Sequence, residues 1–112
     1  MTDGRRIVAT SKEQVELLPL EEDTRPLGAK EIAGRTLVSL ISTGTELGTY
    51  LGSWEFPPWE FPQGLGYSAA IELTQVGDDV DSLNIGDVVY CSRGHQSHHR
   101  LNCDDAIKLP DE

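Results

Sequence analysis

Apolar and polar residues alternate over short stretches along most of the chain, a pattern typical of β-strands with one buried face. The first two stretches are separated by a tight turn and predict a hairpin at a sheet edge. The third is long and rich in β-branched residues, which favours one strand over a helix. The predicted strands are residues 5–10, 14–18, 31–42, 69–76, 87–91, 97–101 and 106–109.

One short helix and one proline-rich loop interrupt this pattern. Residues 45–51 have room for two helical turns, with Thr43 or Thr45 as the N-cap and Gly52 as the stop. Residues 54–62 read Trp-Glu-Phe-Pro-Pro-Trp-Glu-Phe-Pro, and three prolines in this segment predict a loop because proline has no amide proton to donate. Many short strands with one brief helix predict a mainly β, barrel-like domain.

Length and charge limit the classes of function that we expect for this chain. The chain has 112 residues, enough for one domain with its own core, and a net charge of -10. An acidic surface repels nucleic-acid phosphates and anionic lipid headgroups, so we expect neither nucleic-acid nor membrane binding. No apolar run resembles a secretory signal or a membrane span, which predicts a cytoplasmic protein. Cys91 and Cys103 are then expected to be free thiols.

Six of the seven aromatic residues lie between positions 50 and 67. One interpretation is a cluster that seals one end of a barrel. The other is a pocket for an apolar or planar small-molecule substrate, with walls formed by Trp54, Phe56, Trp59 and Phe61. The segment Gly64-Leu-Gly-Tyr-Ser-Ala69 matches a dinucleotide fingerprint in its letters. Its context is a loop before and a strand after, whereas the pyrophosphate needs a helix N-terminus, so we predict no nucleotide site there.

Several motifs in a fixed order resemble the GroES-like N-terminal domain of medium-chain dehydrogenases/reductases, over essentially the whole chain. They are Ser39-Leu-Ile-Ser-Thr-Gly-Thr-Glu46, Gly64-Leu-Gly-Tyr-Ser68, Val76-Gly-Asp-Asp-Val80 and Ile85-Gly-Asp-Val-Val89. With His95-Gln-Ser-His98, they are most similar to the branch of bacteriochlorophyllide dehydrogenases and their relatives. The resemblance implies a partly open, GroES-like β-barrel with one or two short helices, spanning residues 1–112.

The resemblance also implies a site. Where zinc-dependent members carry the cysteine and histidine that bind catalytic zinc, this chain has Thr43 and Tyr67. Hydroxyl groups replace thiolate and imidazole poorly as zinc ligands, so we predict no catalytic zinc. Thr43, Thr45 and Tyr67 would instead hydrogen-bond a substrate carbonyl, and Glu46 would orient its neighbours or cap backbone amides. An equally open alternative is that these residues are strand ends and caps in a decayed site.

The cluster of Cys91, His95, His98, His99 and Cys103 suggests metal binding by residue type alone. On a strand-turn-strand course, alternate residues face opposite ways, and four ligands seldom converge. We therefore expect surface or barrel-end histidines and unpaired thiols.

Two hypotheses follow for the function. In the first, the chain is the substrate-binding domain of a zinc-independent, NAD(P)-dependent oxidoreductase similar to alcohol dehydrogenases. Its Rossmann-type cofactor domain is absent from this chain, so the chain alone is not expected to turn over. In the second, it is a free-standing GroES-like binding or assembly module without catalytic activity, forming a homodimer through the aromatic loop.

Overall fold

Two antiparallel sheets make up most of the fold in a computed structural model that describes residues 4–21, 23–53 and 60–110. The smaller sheet has the strand order β2-β1-β4, and the larger has the order β7-β3-β5-β6-β8. The elements are β1 (Arg5–Ser11), β2 (Gln14–Pro19), β3 (Glu31–Ser39), α1 (Thr43–Leu51), β4 (Gln63–Gly64), β5 (Ala69–Val76), β6 (Val88–Cys91), β7 (His98–Asn102), a 3₁₀-helix (Cys103–Asp105) and β8 (Ala106–Lys108).

The larger sheet curls around the main core. Its long central strands β3 and β5 pair from Ile32 with Val76 to Ser39 with Ala69, and two irregularities in this register bend the pair. The inward residues are apolar and almost fully buried. They are Ile32, Ala69, Ile71, Leu73, Leu83, Val89, Cys91 and Leu101. The predicted mainly β, partly open barrel fold is thereby confirmed.

The smaller sheet and α1 cover the end of the larger sheet where β3 stops. Of the predicted edge hairpin, β2 lies at a sheet edge, whereas β1 is the middle strand, between β2 and β4. The Glu13 amide donates to the Tyr50 carbonyl at 2.7 Å, which ties the hairpin turn to the helix. The Leu65 amide donates a further backbone hydrogen bond to the Ile7 carbonyl at 3.2 Å. No helix in the described ranges is long and apolar enough to cross a membrane.

Three details differ from the sequence predictions. Strand β3 ends at Ser39 rather than Ser42, because its partner β5 begins at Ala69 and offers no further ladder positions. Helix α1 begins at Thr43, two residues earlier than predicted. The short strand β4, within a segment expected to be irregular, pairs with Val8 and Ala9 of β1.

The predicted helix stop at Gly52 is confirmed. This residue has φ 65°, the left-handed conformation that glycine adopts without steric cost, and its amide bonds the carbonyl of Thr49 at 3.1 Å. The predicted proline-rich loop falls mostly on residues 54–59, which lie outside the described residues.

Candidate functional site

The start of helix α1 is the centre of the candidate site. Ser42 is the N-cap, so the prediction of Thr43 or Thr45 at this position is wrong. The Ser42 side chain makes no capping hydrogen bond. Instead, Glu46 in the first turn reaches back and accepts the Ser42 amide proton through Oε2 at 2.5 Å. A carboxylate is favoured here because the helix dipole places partial positive charge at this end.

The other carboxylate oxygen of Glu46 belongs to a buried polar chain. Glu46 Oε1 lies 2.5 Å from His95 Nε2, and His95 Nδ1 lies 2.7 Å from Ser39 Oγ. A carboxylate only accepts hydrogen bonds, so Nε2 donates to Glu46, and a neutral ring then accepts the Ser39 hydroxyl proton at Nδ1. Only 7% of the His95 side chain and 10% of the Glu46 side chain are exposed. This Ser39–His95–Glu46 chain thus joins the end of β3, the segment before β7 and helix α1.

Backbone contacts hold His95 in place. Its amide donates to the Leu65 carbonyl at 2.7 Å, and its carbonyl accepts from the Ile7 amide at 2.9 Å. The imidazole packs directly on Gly66, where a β-carbon would lie 2.7 Å from the ring. Gly66 also has φ 95°, a conformation that other residues rarely adopt. Glycine is therefore required at position 66 both by its backbone angle and by the ring above it.

Hydroxyl groups surround the N-terminus of α1. Tyr67 donates its phenolic proton to Ser42 Oγ at 2.6 Å, and 44% of Tyr67 is exposed. Tyr90 belongs to a separate cluster of hydroxyl groups, in which its phenolic oxygen lies 3.3 Å from both Ser68 Oγ and Ser92 Oγ. These two hydrogen bonds, first that of Ser68, lower the pKa of Tyr90 below its ordinary value.

An open cleft of about 370 Å³ lies between the helix and the smaller sheet. Its walls are almost entirely apolar, and the polar residues that contribute to them are Thr43, Glu46, Tyr50 and His95. The lining residues are Ile7, Val15, Ile41, Thr43, Glu46, Leu47, Tyr50, Leu65 and His95. Small-molecule sites are usually clefts with mostly apolar walls, as this one is.

The structure brings together some of the residues predicted from the sequence. Thr43 and Glu46 line the cleft, one helical turn apart, and Tyr67 contacts Ser42, which directly precedes Thr43. Thr45 is exposed and does not line this cleft. Phe61 is half-buried and packs towards Gly52. Trp54, Phe56 and Trp59 lie outside the described residues.

Surface or barrel-end histidines were expected, and only one of the three histidines is exposed. His98 is exposed, but 8% of His95 and 5% of His99 are accessible. Burial, and then the charges of Arg93 and His98, lower the pKa of His99 to about 4. Its Nε2 atom is buried and has no hydrogen-bond partner among the residues that the structure describes.

The described ranges, residues 4–21, 23–53 and 60–110, contain three histidines, two cysteines and many carboxylates that could in principle bind a metal ion. No group of three or more His, Cys, Asp or Glu residues there is arranged to hold a metal ion, and Cys91 and Cys103 are free thiols. Burial raises the pKa of Cys91. The segment Gly64–Ala69 does not fit a dinucleotide, because it runs from β4 into β5 without the helix that would hold a pyrophosphate.

Sequence reasoning missed His95 and Ser39 as members of the site. His95 and Glu46 are 49 positions apart in sequence, and Ser39 is 56 positions from His95. A possible signal was the position of Ser39 at the end of a strand that leads directly into the Gly-Thr-Glu motif. Nothing local to His95 indicated burial.

Comparisons with known proteins give relatives of one kind. The chain is 39% identical over 67 residues to a quinone oxidoreductase from Salmonella typhimurium, which corresponds to 56% of this chain and 20% of that protein. No protein-family model matches the chain.

Solved structures resemble almost the full length of the chain. A mitochondrial 2-enoyl thioester reductase Etr1p/Etr2p heterodimer from Candida tropicalis matches 98% of this chain with TM-score 0.74 and 24% identity. A protein described as an NADPH:quinone reductase from Bacillus thuringiensis matches 96% with TM-score 0.68 and 26% identity. In each case the chain spans 34% of the solved chain, about a third of its length.

These structural neighbours are medium-chain dehydrogenases/reductases. The resemblance inferred from the sequence is confirmed at the level of this family.

Proposed function

We propose that this chain, with the fold of the medium-chain dehydrogenases/reductases, is the substrate-binding and catalytic domain of a zinc-independent, NAD(P)-dependent oxidoreductase. Its substrate is a small apolar molecule with a reducible carbonyl group, such as a quinone. Because the chain spans a third or less of its relatives, we propose that the nicotinamide-binding domain lies outside it, in the same polypeptide or in a partner.

The observation that carries this proposal is the cleft beside the first turn of α1. Apolar side chains of Ile7, Ile41 and Leu65 form its walls, and Thr43, which carries a hydroxyl, is among the lining residues. An apolar wall suits the ring of a quinone, whereas a hydroxyl suits its oxygen. The Glu46 carboxylate already offsets the partial positive charge of this helix end, so the Thr43 hydroxyl is the group assigned to stabilise negative charge that develops on that oxygen.

We assign the hydroxyl groups to the substrate oxygen. Thr43 donates directly. Tyr67 and Thr45 are proposed as further donors that come into play when substrate binds: Tyr67 would exchange its hydrogen bond to Ser42 for one to the substrate oxygen, and the exposed Thr45 hydroxyl would turn towards it. Preorganised donors of this kind stabilise a developing oxyanion without a metal ion. Glu46 does not face the substrate oxygen in this proposal; it orients Ser42 and the first turn of the helix. Thr43 and Tyr67 are poor zinc ligands, which supports a metal-independent reaction.

The exposed apolar residues near the cleft suggest where the cofactor domain packs. Leu40, Ile41 and Leu47 are 68%, 69% and 52% exposed. Contiguous exposed apolar surface often marks a site where another protein or domain binds. We propose that the cofactor domain covers this surface and that Trp54, Phe56, Trp59 and Phe61 complete the substrate walls.

The test is NAD(P)H-dependent reduction of 1,4-naphthoquinone by the polypeptide together with its cofactor domain, in the presence of a metal chelator. Loss of one oxyanion donor typically lowers kcat by about 100- to 1000-fold, so we expect Thr43→Val to lower kcat by at least about 100-fold. Tyr67→Phe is expected to lower kcat as well. Tyr90→Phe is the matched control, because Tyr90 belongs to the separate hydroxyl cluster. Activity that disappears with the chelator, or a fully active Thr43→Val variant, would contradict the proposal.

A further inference from the structure

His95 is too far along the chain to belong to any local motif of α1, yet it contacts the helix through Glu46. Both ring nitrogens are engaged, with Glu46 at 2.5 Å and Ser39 at 2.7 Å. A buried polar ring must be satisfied in this way, because an unpaired donor or acceptor in the interior costs about 1–3 kcal/mol.

The capping arrangement shows what this contact does. A serine at an N-cap normally uses its own hydroxyl to accept an amide proton of the first turn. Here the Ser42 hydroxyl makes no such bond, and the amide of Ser42 itself, a different group, donates to Glu46. The Ser42 hydroxyl accepts the Tyr67 phenolic proton at 2.6 Å. Because Glu46 holds the backbone of the residue whose hydroxyl accepts this proton, a shift of Glu46 would move the hydrogen-bond partner of Tyr67.

Glu46 is held by His95. Without the imidazole, the Oε1 oxygen would have no described partner, and the carboxylate would be free to rotate towards the open cleft. The imidazole is itself fixed by the packing on Gly66 and by the backbone bonds to Ile7 and Leu65. The fixed His95 ring thus determines, through Glu46 and Ser42, where Tyr67 lies, and through the first turn of α1, where Thr43 lies.

We propose that His95 is a positioning residue for the substrate cleft: acting through Glu46, it directs the Thr43 and Tyr67 hydroxyls that the proposed function uses. In part this proposal rests on that function, but the hydrogen-bond path from His95 to Tyr67 can be tested without any activity. His95 touches neither the substrate oxygen nor the cofactor in this role.

The test uses the chain labelled with 3-fluorotyrosine and observed by fluorine NMR. The three tyrosines are Tyr50, Tyr67 and Tyr90, and single Tyr→Phe variants assign their signals. In His95→Phe, we expect the Tyr67 signal to move by more than its linewidth while the Tyr90 signal stays in place. The exposed His98 provides the matched control, and His98→Phe should leave both signals unchanged.

A second variant covers the case in which His95→Phe does not fold. His95→Gln keeps polar atoms in the pocket but cannot bond Ser39 and Glu46 with the geometry of a ring, so it should move the Tyr67 signal in the same direction by a smaller amount. Unchanged Tyr67 signals in folded His95→Phe, or in folded His95→Gln where the first variant is unfolded, would overturn the proposal.

Kinetics separate positioning from plain stability. Misplacement of a reacting group by about 1 Å can lower the rate by roughly 100-fold. We therefore expect kcat of the folded His95 variants to fall about 10- to 100-fold with KM nearly unchanged, since the apolar walls remain. A variant that changes KM alone would contradict positioning. A wild-type protein without reductase activity, in which the Tyr67 signal still depends on His95, would refute the proposed function and support the path from His95 to Tyr67.

Discussion

Replacing Glu46 by alanine or by glutamine should give very different stabilities. Alanine removes two hydrogen bonds of 2.5 Å each and leaves the His95 Nε2 proton and the Ser42 amide without their acceptor. The His95 ring is buried, so its unpaired group costs about 1–3 kcal/mol, and Ser42 is half-buried, so its amide contributes about 1 kcal/mol. The favourable charge at the helix N-terminus adds about 0.5 kcal/mol. We expect Glu46→Ala to lower the free energy of unfolding by about 3 kcal/mol.

Glutamine can satisfy the same partners. Its amide oxygen accepts the Ser42 amide proton, and its amide nitrogen donates to His95 Nε2. The imidazole then carries its proton on Nδ1 and donates it to Ser39 Oγ, so each group keeps a partner. Glu46→Gln should therefore cost less than about 1 kcal/mol, because no buried donor or acceptor is left unpaired.

Urea unfolding followed by far-UV circular dichroism measures both variants. Glu72→Ala is the control, because Glu72 forms an exposed ion pair of 2.6 Å with Arg35, and exposed pairs contribute about 0–1 kcal/mol. If Glu46→Ala lay within 1 kcal/mol of the wild type, or if Glu46→Gln were as unstable as Glu46→Ala, the buried polar chain would not have the energetic role inferred from its geometry.

Three further predictions concern glycine and histidine positions. Gly66→Ala should destabilise the protein by about 1–3 kcal/mol and weaken the His95 contacts, because φ is positive at Gly66 and the His95 ring would lie 2.7 Å from the new β-carbon. Unfolding of this variant at the wild-type urea midpoint would contradict the prediction. Gly44→Ala should be stabilising by about 0.5–1 kcal/mol, since Gly44 is helical and a β-carbon there meets no atom within 4 Å; a loss of stability in the same unfolding assay would argue against the helix at this position. The pKa of His99 is lowered to about 4 from an ordinary value of 6.5, so the free energy of unfolding is highest above pH 6.5 and falls as the pH drops towards 4. This fall amounts to roughly 3 kcal/mol and should be absent in His99→Leu. The same pH dependence of unfolding in the variant and in the wild type would refute this prediction.

Local patterns in the sequence predicted the fold well. Strand β5 alternates buried and partly buried residues from Ala69 to Leu73, which is the period that the sequence displays. The glycine at position 52 ended the helix as expected, because its preference for positive φ is a local property. The end of β3 was placed three residues too late, because it is determined by where the partner strand begins and not by residues 40–42 themselves.

The candidate site was predicted only in part, for a physical reason. Thr43, Glu46 and Tyr67 belong to motifs of contiguous residues, so a resemblance could indicate them. The contact between Glu46 and His95 depends on the curl of two sheets and on the packing of Gly66 against the ring, which no local pattern encodes. The cap was misassigned because the helix begins at Thr43, which makes the preceding residue, Ser42, the N-cap.

The most direct test of the central claim is to map the binding of 1,4-naphthoquinone on the chain by amide proton–nitrogen NMR. If the cleft is the substrate site, chemical-shift changes should saturate with added quinone and concentrate at Ile41, Thr43, Leu47, Leu65 and His95, with Thr43→Val weakening the binding. Shift changes that centre on the far edge of the larger sheet, or that are absent at quinone saturation, would contradict the assignment of this cleft as the site of carbonyl reduction.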